Sequence, residues 1–150
     1  MSHVPTLDPT VSRLRNWTGI RGGPRLVLIA YAAIALLIAV GVIVQVFLAG
    51  LGVFGAESFD AHEGFGWMLH TAAIVVFLLA LLGPRTRRAI GLSFGLLVLM
   101  TIQIAFVNTR EDAPYVAALH PVFALLVLGL AVHIGMPLVA SRRRVASAPR

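Results

Sequence analysis

The sequence predicts an all-α membrane protein: a bundle of four transmembrane helices, built from two tandem helical hairpins in a parallel repeat, with both termini cytoplasmic (N-in/C-in). Three observations carry this. The 150 residues are 59% hydrophobic and only 12% charged, whereas a water-soluble domain is about 45–50% apolar and roughly 25% charged. The apolar residues fall into four long runs, separated by short polar links. Within those runs, polar residues recur at a fixed 58-residue spacing.

The first run extends from Leu26 to Phe54, interrupted only by Gln45. It is too long for the apolar region of a cleaved signal peptide and reads as a retained helix. The second run is Gly64 to Leu82, the third Ala89 to Val107 and the fourth Ala117 to Ala140. Each is about 18 residues or longer, enough to cross a hydrocarbon core of ~30 Å at 1.5 Å per residue. Lipid offers the backbone no hydrogen-bond partners, so these runs must be helices. Residues 1–25 and 141–150 are basic tails; within them residues 1–20 and 141–150, polar and Pro-containing, are expected to be disordered, their arginines either meeting anionic headgroups or serving as topology signals alone.

Charge sets the orientation. Eleven of the 12 arginines lie in residues 1–25, in the 83–88 link and after the fourth run. The other two links carry Glu57, Asp60, Glu63, Glu111 and Asp112, with Arg110 alone opposing them. The positive-inside rule then puts both termini in the cytoplasm of a multi-pass plasma-membrane protein. Arginines in short clusters between apolar runs are topology signals, and nucleic acid is not an expected partner. Cysteine is absent, which excludes thiolate metal sites, disulfides and thiol nucleophiles from this chain's own chemistry. No Gly-x-Ser-x-Gly, phosphate loop or His-Glu-x-x-His occurs, so no independent enzymatic activity is predicted.

A shift of 58 residues lays the first hairpin on the second. Gln45 falls on Gln103, His62 on His120 and Phe65 on Phe123, and each Gln precedes its His by 17 residues. Apolar matches are cheap in such a chain, but Gln and His are rare in membrane segments and are costly there without a role. The repeat places both histidines at the outer ends of the even-numbered helices, at one depth. A pseudo-twofold axis along the membrane normal would bring them to opposite sides of one central cavity. Two facing imidazoles suit the axial positions of a haem iron. The candidate iron ligands are therefore His62 and His120, with Gln45 and Gln103 as donors to the porphyrin edge, the propionates or the ring nitrogens. His70 and His133 have no partners in the repeat. His70 is a second-choice ligand or proton-relay residue, with an interhelical hydrogen bond as the favoured reading. His133 lies near the cytoplasmic end.

Residues 45–52, Asp60-Ala-His62-Glu-Gly-Phe-Gly and Leu119-His120-Pro-Val-Phe-Ala-Leu-Leu resemble one four-helix half of the heme A synthase family. The chain also resembles a group of small four-helix bacterial membrane proteins of uncharacterised function. The resemblance spans about residues 26–140 and implies a four-helix fold with His62 and His120 on haem. Phe59 stands where that family carries a Glu, its extracellular cysteine pair is missing, and one half is present rather than two. The resemblance therefore implies haem binding and does not imply oxygenation of a haem side chain.

The expected function is a membrane protein holding one b-type haem, for electron transfer or haem handling, with the bilayer, a redox partner or a second copy as partners. Two rivals are a cofactor-free membrane scaffold or accessory subunit, and a small-solute or proton transporter using His70.

Overall fold

The structure, a computed structural model, describes residues 25–83 and 86–146; the side chains of Arg25 and of residues 137–146 fall outside the description, as do both chain ends. The described residues form helices only. These are α1 (Arg25–Val53), α2 (Asp60–Leu82), α3 (Arg87–Asn108), the short α4 (Pro114–Ala117) and α5 (His120–Ala146). The four long helices are each long and apolar enough to cross a membrane.

The boundaries differ from the sequence reading in four informative places. α1 stops at Val53, and Phe54 begins a turn completed by Gly55 at φ +71°, a left-handed conformation open to glycine at little cost. α2 starts at Asp60, so the acidic residues Asp60 and Glu63 lie in its first turn beside His62, where carboxylates complement the helix dipole. The fourth run divides: Ala117 closes the separate turn α4, and the long helix opens at His120 with Pro121 in its first turn, a position where the missing N–H is no loss. α5 then continues through Arg142–Arg144 to Ala146, where a disordered tail was expected. Thr86 caps α3 by accepting a hydrogen bond from the Ala89 amide at 3.1 Å.

The helices form a closed ring. α1 packs on α2 and α5, and α3 packs on the same two neighbours. Consecutive antiparallel helices bring the 54–59 and 109–119 connections to one end, termed the distal end. α1 and α3 then oppose each other on one diagonal of the ring, and α2 and α5 on the other.

The core fills the centre with residues at matched spacing. Tyr31 and Ala89, Ala35 and Ser93, Ile38 and Leu96, and Val42 and Met100 are all buried, as are Leu69 and Val127, Ala73 and Ala131, and Val76 and Ile134. The members of each pair are 58 residues apart. At the end remote from the distal loops, the Tyr31 hydroxyl lies 3.0 Å from Ser93 Oγ and 3.5 Å from the Ala89 carbonyl. That contact ties the α1–α3 diagonal and satisfies a buried phenol, which would otherwise cost about 1–3 kcal/mol.

Small residues admit close neighbours at particular points only. A Cβ on Gly135 of α5 would collide with the Leu36 side chain and lie 3.0 Å from the Ala32 carbonyl of α1. The Gly91/Gly95 pair of α3 divides: Gly95 faces Leu130 of α5, whereas Gly91 meets nothing. The spacing thus does not serve as a two-glycine helix contact.

Candidate functional site

The distal end of the α2–α5 diagonal holds the two repeat histidines. Their ring centroids are 6.0 Å apart and the ring planes are inclined at 67°. The sequence-predicted pair is therefore brought together, from helices that are not ring neighbours.

Each imidazole is held the same way. His62 Nδ1 lies 3.2 Å from the Gln45 backbone oxygen, and His120 Nδ1 lies 2.8 Å from the Gln103 backbone oxygen. A carbonyl can only accept, so Nδ1 carries the hydrogen in both neutral rings. Nε2 then carries the lone pair. A hydrogen bond from the far ring nitrogen to a backbone carbonyl is the usual outer support of a metal-binding histidine: it selects the tautomer and raises ligand basicity.

The glutamine side chains act differently from the sequence expectation. Neither amide reaches an imidazole nitrogen; the ring contact is made by the Gln main chain. Gln45 Nε2 donates to the His62 carbonyl at 2.9 Å, closing a two-way clasp between α1 and α2. Gln103 Nε2 points to Met100 Sδ at 3.2 Å, within its own helix. The clasp on His62 is double and that on His120 is single. Gly66 makes room for the first, since a Cβ there would stand 2.8 Å from Gln45 Nε2. Sequence reasoning missed Gly66, whose only signal was a small residue one turn beyond His62.

Two polar atoms at this level have no hydrogen-bond partner: the buried Oε1 of Gln45 and that of Gln103. Aromatic rings occur at this end of the bundle. Phe59 meets His62 edge-on at 6.3 Å, and Phe106 meets Phe123 edge-on at 4.9 Å, between α3 and α5. The carboxylates Glu57, Asp60 and Glu63 are exposed, and Asp60 takes its hydrogen bond from Ser58 at 2.8 Å rather than from a histidine.

His70 lies elsewhere. Its Nε2 is 3.1 Å from Thr101 Oγ1, across the α2–α3 seam, and its ring is edge-on to Trp67 at 5.9 Å. This is an interhelical hydrogen bond away from the paired rings. His133 is exposed on α5.

The donor set can be tested against a haem. Among the described residues, no three His, Cys, Asp or Glu side chains converge. A macrocycle supplies four nitrogens of its own and asks the protein for two axial ligands only. With metal–nitrogen bonds of about 2 Å and each ring centre about 1 Å behind its nitrogen, two such imidazoles stand roughly 6 Å apart. The observed separation, the shared tautomer and the outer carbonyl supports fit that requirement.

Comparison with known proteins adds one similarity. Residues 45–110 match a family of unknown function (DUF6220). The matched stretch begins at Gln45, contains His62, His70 and Gln103, and ends before His120. No curated protein and no solved structure matches the chain.

Proposed function

We propose that this chain is a multi-pass plasma-membrane haem protein in which His62 and His120 are the axial ligands of one b-type haem, for electron transfer or haem handling on behalf of a redox partner. The observation that carries it is the pair of rings 6.0 Å apart, each fixed through Nδ1 to the carbonyl of the glutamine 17 residues earlier. This reading includes N-in/C-in topology, which puts the distal end outside, and a duplicated hairpin related by a pseudo-twofold axis. The 58-residue recurrence of buried positions supports the duplication.

The chain's own residues do the following. His62 and His120 present lone pairs from opposite walls of the bundle. The Gln45 and Gln103 carbonyls hold the tautomer and the tilt of each ring. Gln45 Nε2 ties the first turn of α2 to α1, so the His62 main chain cannot drift from its partner. Phe59, Phe106 and Phe123 lower the local polarity, which weighs on any charge carried at the centre. A bis-histidine haem, once bound, supplies a reversible one-electron couple.

An absorption spectrum of the detergent-purified protein, expressed with haem supplied, tests this. The expected result is a Soret band with sharp reduced α and β bands, lost in both His62→Ala and His120→Ala. A folded protein with a featureless visible spectrum would refute the haem reading and leave the scaffold reading in its place.

A further inference from the structure

The His70 cluster has a hydrogen-bonding pattern that its interhelical role leaves incomplete. Thr101 Oγ1 donates its single hydrogen to the Leu97 carbonyl at 2.9 Å. It can therefore only accept from His70, so the hydrogen of the His70 ring sits on Nε2, 3.1 Å away. The ring's other nitrogen, Nδ1, is left as an acceptor, and no hydrogen bond to it is present among the described residues. The neighbouring Thr71 hydroxyl is also committed, donating to the Trp67 carbonyl at 3.0 Å.

This acceptor lies within the membrane span. His70 is eight residues beyond His62 on α2, about 12 Å deeper at 1.5 Å per residue. The cluster opens to the outer surface of the bundle: His70 is half-buried, Thr101 and Thr71 are exposed, and Trp67 is 54% exposed. In hydrocarbon no water supplies that donor, and an acceptor left without one is strongly disfavoured. The donor must come sideways, from the bilayer.

We infer that the α2–α3 seam at His70, Thr101 and Trp67 is a binding site for the headgroup of a lipid-soluble hydroquinone, whose hydroxyl donates to His70 Nδ1. Depth excludes glycerolipid and sterol hydroxyls, which stay at the headgroup level. The flat ring is favoured by the exposed Trp67 indole, already edge-on to the imidazole, since aromatic rings pair edge-to-face. A docked transmembrane helix is the other occupant. The bulky side chains it would meet there are Trp67 and Phe94, each 54% exposed, and the test below separates that occupant. The proposal concerns binding alone and does not rest on the haem reading.

The test uses the full-length protein carrying Trp17→Phe, so that Trp67 is the sole tryptophan, in nanodiscs under anaerobic reducing conditions. A short-chain benzoquinol is titrated and Trp67 fluorescence is read. Saturable quenching is expected, with affinity about tenfold weaker in His70→Phe, the loss of roughly one hydrogen bond. Thr101→Val, which frees the tautomer without changing shape, should weaken binding by a smaller factor. Gly129→Ala, a change into open space on α5, should leave the isotherm unchanged, and the Soret band that reads the haem site should be the same in His70→Phe as in the parent. Non-saturating quenching, equal in the parent and both seam variants, would overturn the proposal. So would a parent dimer, indifferent to quinol, that dissociates in His70→Phe; that outcome assigns the face to a protein contact.

Discussion

At the residue scale, two glycines near one histidine have opposite sensitivities. A Cβ on Gly66 would stand 2.8 Å from Gln45 Nε2, whereas one on Gly64 meets nothing. Gly66→Ala should therefore push the Gln45 amide off the His62 carbonyl, and Gly64→Ala should not. The expected loss is about 1 kcal/mol, one hydrogen bond's net worth, seen in the thermal midpoint of the detergent-solubilised protein and, on the haem reading, in a broadened reduced α band. Equal midpoints for the two variants would remove Gln45 as a support of His62. The legibility of these residues was uneven. His62, His120 and the two glutamines stood out because polar residues are scarce in apolar runs. The role of each Gln was not legible, because spacing places a residue near another without saying whether its main chain or its side chain makes the contact.

At the element scale, the α1–α5 seam is the tightest of the helix contacts that the glycines report. Gly135 abuts the Leu36 side chain and the Ala32 carbonyl, while Gly129 on the same helix has open space. Gly135→Ala should cost about 1–3 kcal/mol by overpacking, and Gly129→Ala close to nothing, measured by detergent denaturation followed by circular dichroism. The four spans were legible as long, predominantly apolar runs with few polar residues and no charges. Their ends were less so: α2 takes in polar Asp60 and Glu63 because carboxylates suit a helix start, and the fourth run breaks at Ala118–Leu119 through turn geometry that hydropathy does not register. Gly91 and Gly95 lie four residues apart on α3, yet only Gly95 meets a neighbouring helix, because a helix face is chosen by its neighbours.

At the scale of the whole molecule, the ring places the first hairpin against the second along two seams, α2–α3 and α1–α5. If each hairpin is an insertion unit, co-expressed fragments 1–84 and 85–150 should assemble and co-purify. On the haem reading they should also restore the Soret band that neither fragment shows alone. Failure of two membrane-inserted fragments to associate would count against the duplicated-hairpin reading. Reporter fusions at residue 150 and within the 109–119 connection should report cytoplasm and exterior, respectively, if the arginine distribution sets the topology.

Sequence by itself determined that this chain forms four membrane-length helices, because lipid permits no other structure for apolar runs of that length. It also singled out the four polar residues of the distal site by their spacing. Only the tertiary structure decided that α2 and α5 oppose each other with their rings 6.0 Å apart, that Nδ1 of each ring meets a main-chain carbonyl, and that His70 belongs to a different seam. Those facts depend on which faces of which helices meet. In a chain apolar on every side, hydrophobicity does not choose the face; packing of small and polar groups does.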